Sequence, residues 1–140
     1  MKRYGPLVAL GLGLILVAGC GTSLRAAQTA PPGGEFKKVS TLVPLPDFIP
    51  GLGTLYVDPK TLPAGPFLAY DRQGNLVSSI YMVPMKDLEA KKAFTNLGAA
   101  RERVDHVDMY FNAGHPGVAE PHYHVVVWYV SADKAAALKQ

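Results

Sequence analysis

Six prolines crowd the stretch from Leu42 to Pro66, at Pro44, Pro46, Pro50, Pro59, Pro63 and Pro66. Each fixes its own φ, removes an amide donor and pushes the preceding residue into extended backbone, so no long regular element can cross this region. Short edge strands are what remains. The best of them is Gly51–Asp58, with Asp58-Pro59-Lys60 as a turn. Just downstream, Phe67–Tyr70 and Leu76–Val83 flank Asp71-Arg72-Gln73-Gly74-Asn75, where Gly74 is free to adopt a positive φ. That is a hairpin signal, and the two strands are expected to pair antiparallel.

Beyond Pro84 the residues Met85 to Gly98 are mostly strong helix formers. Asp87 and Glu89 come early, Lys91 and Lys92 late, and Gly98 is placed to cap the end. The pattern predicts one main helix with an apolar stripe of Met85, Leu88, Phe94 and Leu97. Arg103–Phe111 then alternates as a strand does, and His122–Val130 reads as a central strand covered on each side. Ser131–Leu138 reads as a short capped helix. The fold class is therefore α+β, a mainly antiparallel sheet of about five strands with one main helix.

The first residues are not part of that body. Lys2 and Arg3 precede an apolar run to Val17, followed by Ala18-Gly19-Cys20. A basic start, an apolar stretch too short to span a bilayer and small residues before the break describe a secretory signal. Because the chain's single cysteine stands immediately after Ala18-Gly19, the segment resembles the lipobox of bacterial lipoproteins. Cys20 is then the lipidated first residue of the mature protein, with two lipid signals for stable anchoring. A plain signal peptide or an uncleaved anchor are the alternatives. In every case the location is extracytoplasmic: on the cell or outer membrane, secreted or periplasmic.

This divides the chain into a signal at 1–19, a flexible tether at 20–38 rich in Gly, Ser, Ala, Gln and Pro, and one domain at 39–140. Losing Lys2 and Arg3 leaves twelve basic side chains against eleven acidic ones. Without a basic stripe or a nucleic-acid motif, nucleic acid is excluded as a partner. About 100 folded residues make one domain, small enough that self-association is an obvious route to further burial.

All four histidines lie between His106 and His124, together with Asp108 and Glu120. In a strand His122 and His124 share a face, and so do His106 and Asp108. If the hairpin places Asp108 opposite His124, then His106, Asp108, His122 and His124 converge and suit a borderline ion such as zinc or copper. A slip of one residue brings Met109 and Phe111 there instead. His115 and Glu120 belong to the intervening loop. Without metal, the same histidines form a hydrogen-bonded structural cluster, and no cofactor is then expected. The H-x-H pair lacks the later glutamate of the cupin motif. Ser78, Ser79 and Ser131 sit in no G-x-S-x-G turn, and no phosphate loop or dinucleotide fingerprint occurs. The reading is of a protein that is not an enzyme. Tyr110, Tyr123, Trp128 and Tyr129 serve as core and interface aromatics, or as a platform for a small ligand.

Gly53-Thr-Leu-Tyr56, and above all His106-x-Asp108 through His115-Pro116-x-Gly-Val-x-Glu120-Pro121-His122-Tyr123-His124, resemble a small bacterial family of unknown function. Its structural representative is a Thermus protein controlled by the sigma-E/anti-sigma-E system. The resemblance runs from about Val39 onward. It implies an α+β domain outside the cytoplasm, produced in an envelope stress response and assembling into a homo-oligomer as large as a decamer. Relatives often carry Pro-His-x-Asp-x-His on the last strand. Here His124 stands for the aspartate and Val126 for the second histidine, so any role of that pattern transfers at His122 alone. Self-assembly of an exported, lipid-anchored protein therefore ranks first, and divalent-metal binding is the alternative.

Overall fold

The computed structural model describes residues 27–140. Six strands form one sheet: β1 (Lys37–Lys38), β2 (Thr54–Val57), β3 (Phe67–Tyr70), β4 (Leu76–Pro84), β5 (His106–Asn112) and β6 (His122–Trp128). Two short helices accompany it, α1 (Met85–Glu89) and α2 (Ala132–Ala137). The strand order is β1-β2-β3-β4-β6-β5, and every neighbouring pair is antiparallel. The fold is α+β, with one strand more than the sequence suggests.

The hairpin of β3 and β4 forms where expected because Asp71 organises its turn. The Asp71 carboxylate accepts from the amides of Gln73 and Asn75 at 2.9 and 2.8 Å, and Gly74 takes φ +83°. The strand expected over Gly51–Asp58 is shortened to four residues by its glycines. Gly53 has φ +104°, and its α-carbon lies so close to the Tyr70 carbonyl that a side chain has no room.

Alternation then divides the side chains between two faces. One face carries Leu55, Val57, Phe67, Ile80, Met82, Val126 and Trp128, and Val39, Ala135 and Leu138 pack onto it. After a single 3-10 turn at Val39–Thr41 the prolines keep residues 42–52 irregular, and Val43, Leu45, Phe48, Ile49 and Leu52 from this segment press against that core as a cover. On the opposite face Leu68, Tyr70 and Leu76 pack with Ala27, Phe36 and Tyr129.

Two expectations are corrected. The helix of Met85–Gly98 ends after Glu89, because Lys91 turns left-handed at φ +54°. The Lys92 amide bonds back to the Asp87 carbonyl and the Lys91 amide to the Leu88 carbonyl, both at 2.9 Å, which is the Schellman arrangement that closes a helix. Phe94 and Leu97 consequently join no helical stripe. The tether expected over 20–38 does not extend through its described part. The Ala27 carbonyl accepts from the buried Tyr70 hydroxyl at 2.7 Å, the Ala30 amide bonds the Gly74 carbonyl at 2.8 Å, and Lys37–Lys38 pairs with β2. The signal at 1–19 and Cys20 lie outside the described residues. Among those described, no helix is long and apolar enough to cross a membrane.

Candidate metal centre

β6 alternates strictly: His122, His124, Val126 and Trp128 are buried and the residues between them half-exposed. Its neighbour β5 pairs His106 with Trp128, Asp108 with Val126, Tyr110 with His124 and Asn112 with His122. Opposed residues share a face, so this register, of the two that the sequence leaves open, puts His106 and Asp108 on the face of the β6 histidines. They are displaced along it by one pair from the expected register.

That displacement dissolves the expected four-residue set. The His106 ring stacks on Trp128, its centroid 5.9 Å away, and its Nδ1 lies 2.8 Å from an Asp105 carboxylate oxygen. Asp108 accepts from the Trp128 indole Nε1 at 2.8 Å. Neither reaches His122 or His124. The physical reason is the loop, which closes further along the strands than a register with Asp108 opposite His124 allows. Asn112 Oδ1 accepts from the Gly114 amide at 2.8 Å, and His115 and Val118 exchange two backbone bonds of 2.9 Å. Gly114, at φ +129°, places the turn where a β-carbon would sit 2.6 Å from the Ala119 carbonyl oxygen.

This folded-back loop delivers His115 to the two strand histidines. Their ligand atoms lie within 4.8 Å of one another. His122 Nε2 is 3.2 Å from His115 Nε2 and 2.9 Å from His124 Nε2. The outer nitrogens are all engaged. His122 Nδ1 lies 2.7 Å from the Glu120 carbonyl and His115 Nδ1 3.0 Å from the Pro116 carbonyl. Carbonyl oxygens only accept, so both Nδ1 atoms carry the proton and both Nε2 atoms present bare lone pairs. His124 Nδ1 lies 3.1 Å from the Tyr110 hydroxyl, which can donate or accept.

The tautomers decide what the cluster is. A proton on His124 Nε2 satisfies its contact with His122, but two lone pairs still face each other between His122 and His115. A set of neutral imidazoles held only by hydrogen bonds therefore leaves one contact repulsive. A cation among the Nε2 atoms removes that repulsion, and outer nitrogens tied to oxygens are what orients imidazoles toward a metal. Nitrogens sharing a tetrahedral zinc stand ~3.3 Å apart, close to the 3.2 and 2.9 Å that separate His122 Nε2 from the Nε2 atoms of His115 and His124. His122 is fully buried and His124 is 5 % exposed. Burial first, then the neighbouring imidazoles of His122 and His115, push His124 down from 6.5 to about 4, which keeps it a neutral ligand. The carboxylate of Glu120 takes no part; it pairs with Lys86 Nζ of α1 at 2.7 Å, while its backbone carbonyl orients His122.

Sequence reasoning grouped His115 with the loop and missed it as a partner of His122 and His124. Loop residues have no periodicity from which a direction can be read, and only concentration of all four histidines in one segment hinted at it. The four aromatic side chains named above diverge: Trp128 is buried at the His106 stack, Tyr110 is bonded to His124, Tyr123 packs on Phe111 at a centroid distance of 5.8 Å, and the Tyr129 hydroxyl bonds Ser79. They form no continuous platform.

No family model matches the chain, and no curated protein matches it either. Among solved structures it is similar to that of the hypothetical protein TTHB210 from Thermus thermophilus, with 52 % sequence identity and a TM-score of 0.61 over 68 % of this chain and 88 % of that one.

Proposed function

The chain belongs to the family of this Thermus thermophilus protein, and on that premise we propose that it is an envelope protein whose domain binds a divalent or copper ion through His115, His122 and His124. One observation carries the reading: three imidazoles bring ligand nitrogens within 4.8 Å of one another while two of their Nδ1 atoms are locked as donors to backbone carbonyls. Three neutral nitrogens suit zinc and copper alike. The family's function is not established, so the metal reading stands on this geometry alone.

The setting of the site belongs to the same proposal. The basic and apolar start of the chain with its lone Cys20 supports export and lipid anchoring. Control by a sigma-E/anti-sigma-E pair during envelope stress, and assembly into a homo-oligomer as large as a decamer, are the reading that accompanies the family. The protein then acts as a membrane-tethered, self-assembling metal binder outside the cytoplasm, without a catalytic cycle of its own.

Calorimetric titration of the chelator-treated protein with zinc, and separately with copper, tests this. One ion per chain is expected. His115→Ala, in a loop rather than the core, should weaken binding by more than the ~10–100-fold that loss of a supporting hydrogen bond costs such sites. His106→Ala should leave binding unchanged. Absence of binding in the parent protein, or equal loss in both variants, would overturn the assignment.

A further inference from the structure

The face of the sheet that carries His124 also walls a half-open cavity of about 770 Å³ between the strands, the proline-rich cover and α2. Its lining is mostly apolar, with Val43, Leu55, Val57, Phe67, Ile80 and Met82 among the walls. His115, His124, Tyr110 and Asn112 form one polar part of the lining, His106 and Asp108 lie further along β5 at Trp128, and Lys139 lies among the lining residues on the α2 side. Leu42 and Leu62 also line it and are 44 % and 47 % exposed, so the mouth is apolar as well.

We propose that this cavity holds a single-chain amphiphile, an apolar body whose terminal carboxylate binds the metal held by His115, His122 and His124. The inference rests on the metal reading above and adds its ligand. A volume of this size with apolar walls and a few convergent polar groups is characteristic of small-molecule sites. Three protein ligands leave a divalent ion with an open position. His115 and His124 both line the cavity, so that position faces it.

Charge selects the head group. Three neutral imidazoles leave the ion's two positive charges uncompensated in a largely apolar surrounding, which favours an anionic partner. The one carboxylate among the lining residues, Asp108, is engaged by the Trp128 indole and stands opposite Val126 rather than His124. The ligand therefore brings its own. A carboxylate supplies oxygen donors that both zinc and copper accept, and the apolar mouth and walls select a long hydrocarbon body behind it.

The test compares dodecanoate with dodecanol, each titrated into zinc-loaded and chelator-treated protein. Dodecanoate should bind the zinc-loaded protein at least about tenfold more tightly than it binds the metal-free protein, and more tightly than dodecanol binds either. Leu62→Asp, at the exposed mouth, should weaken dodecanoate binding while zinc binding stays at the parent value. Zinc binding without any dodecanoate binding sinks the ligand and leaves the metal site standing. Equal dodecanoate affinity with and without zinc places the carboxylate elsewhere, at Lys139 for example, and overturns the head-group assignment. If zinc itself does not bind, both readings fall together.

Discussion

His124 is the residue on which burial and charge act most directly. It faces Tyr110 from β5, His115 from the loop and His122 on its own strand, and Met82 stands opposite it on β4. Because its folded value is held near 4 against 6.5 when exposed, the metal-free folded protein refuses a proton that the unfolded chain accepts. Between pH 6.5 and 4 the unfolded state binds more protons, so stability falls as the solution is acidified through that window. Above 6.5 this residue adds no pH dependence. The full loss is up to about 3 kcal/mol. Urea unfolding of chelator-treated protein at pH 7.5 and 4.5 should show it, and His124→Gln should flatten the difference. A stability that stayed level on acidification would mean that the imidazole takes its proton inside the fold. With metal bound the decline steepens, since protons and the ion compete for the same lone pairs.

At the scale of elements, α1 shows how one residue limits what composition suggests. Lys91 is exposed and adopts φ +54°, a conformation in which a β-carbon crowds the following carbonyl and glycine is preferred. Lys91→Gly should therefore stabilise the protein by about 0.5–1 kcal/mol, read as a higher thermal midpoint with metal affinity unchanged. A lower midpoint would mean that the lysine side chain contributes something its exposure does not suggest. The helix formers at Ala90, Lys92 and Ala93 made a longer helix plausible, yet propensity is weak beside a closed Schellman turn. The β3–β4 hairpin was legible because Asp71 and Gly74 are a local chemical instruction. That His106 shares a face with Asp108, and His122 with His124, was legible from alternation alone. Which residue opposes which was not, because the loop from Ala113 to Pro121 allows more than one register and only its folded geometry chooses. The same loop hid His115, whose direction depends on Gly114 and on the paired bonds with Val118.

At the scale of the whole molecule, the two faces of one edge strand differ in chemistry. On β5, Tyr110 and Asn112 look toward the histidines, while Val107, Met109 and Phe111 look away and are 54, 60 and 54 % exposed. β5 ends the sheet, so its outer backbone groups have no strand neighbour among the described residues. An exposed edge beside an apolar stripe is a template for pairing with another chain, and half-exposed Tyr123, Val125 and Val127 of β6 extend that stripe. Burial of one such large side chain contributes roughly 1.5–3 kcal/mol, so three per chain, repeated by symmetry, supply a driving force against the cost of association. Light scattering at micromolar concentration should therefore report several chains per particle. Met109→Lys sets a charge in the middle of the stripe and should shift the mass toward that of one chain. Since Met109 lies on the face opposite Tyr110 and His124, zinc titration of the same variant should match the parent. A parent protein that scatters as a single chain would refute assembly on this face, and joint loss of assembly and zinc affinity in Met109→Lys would show that the metal centre is completed only between copies.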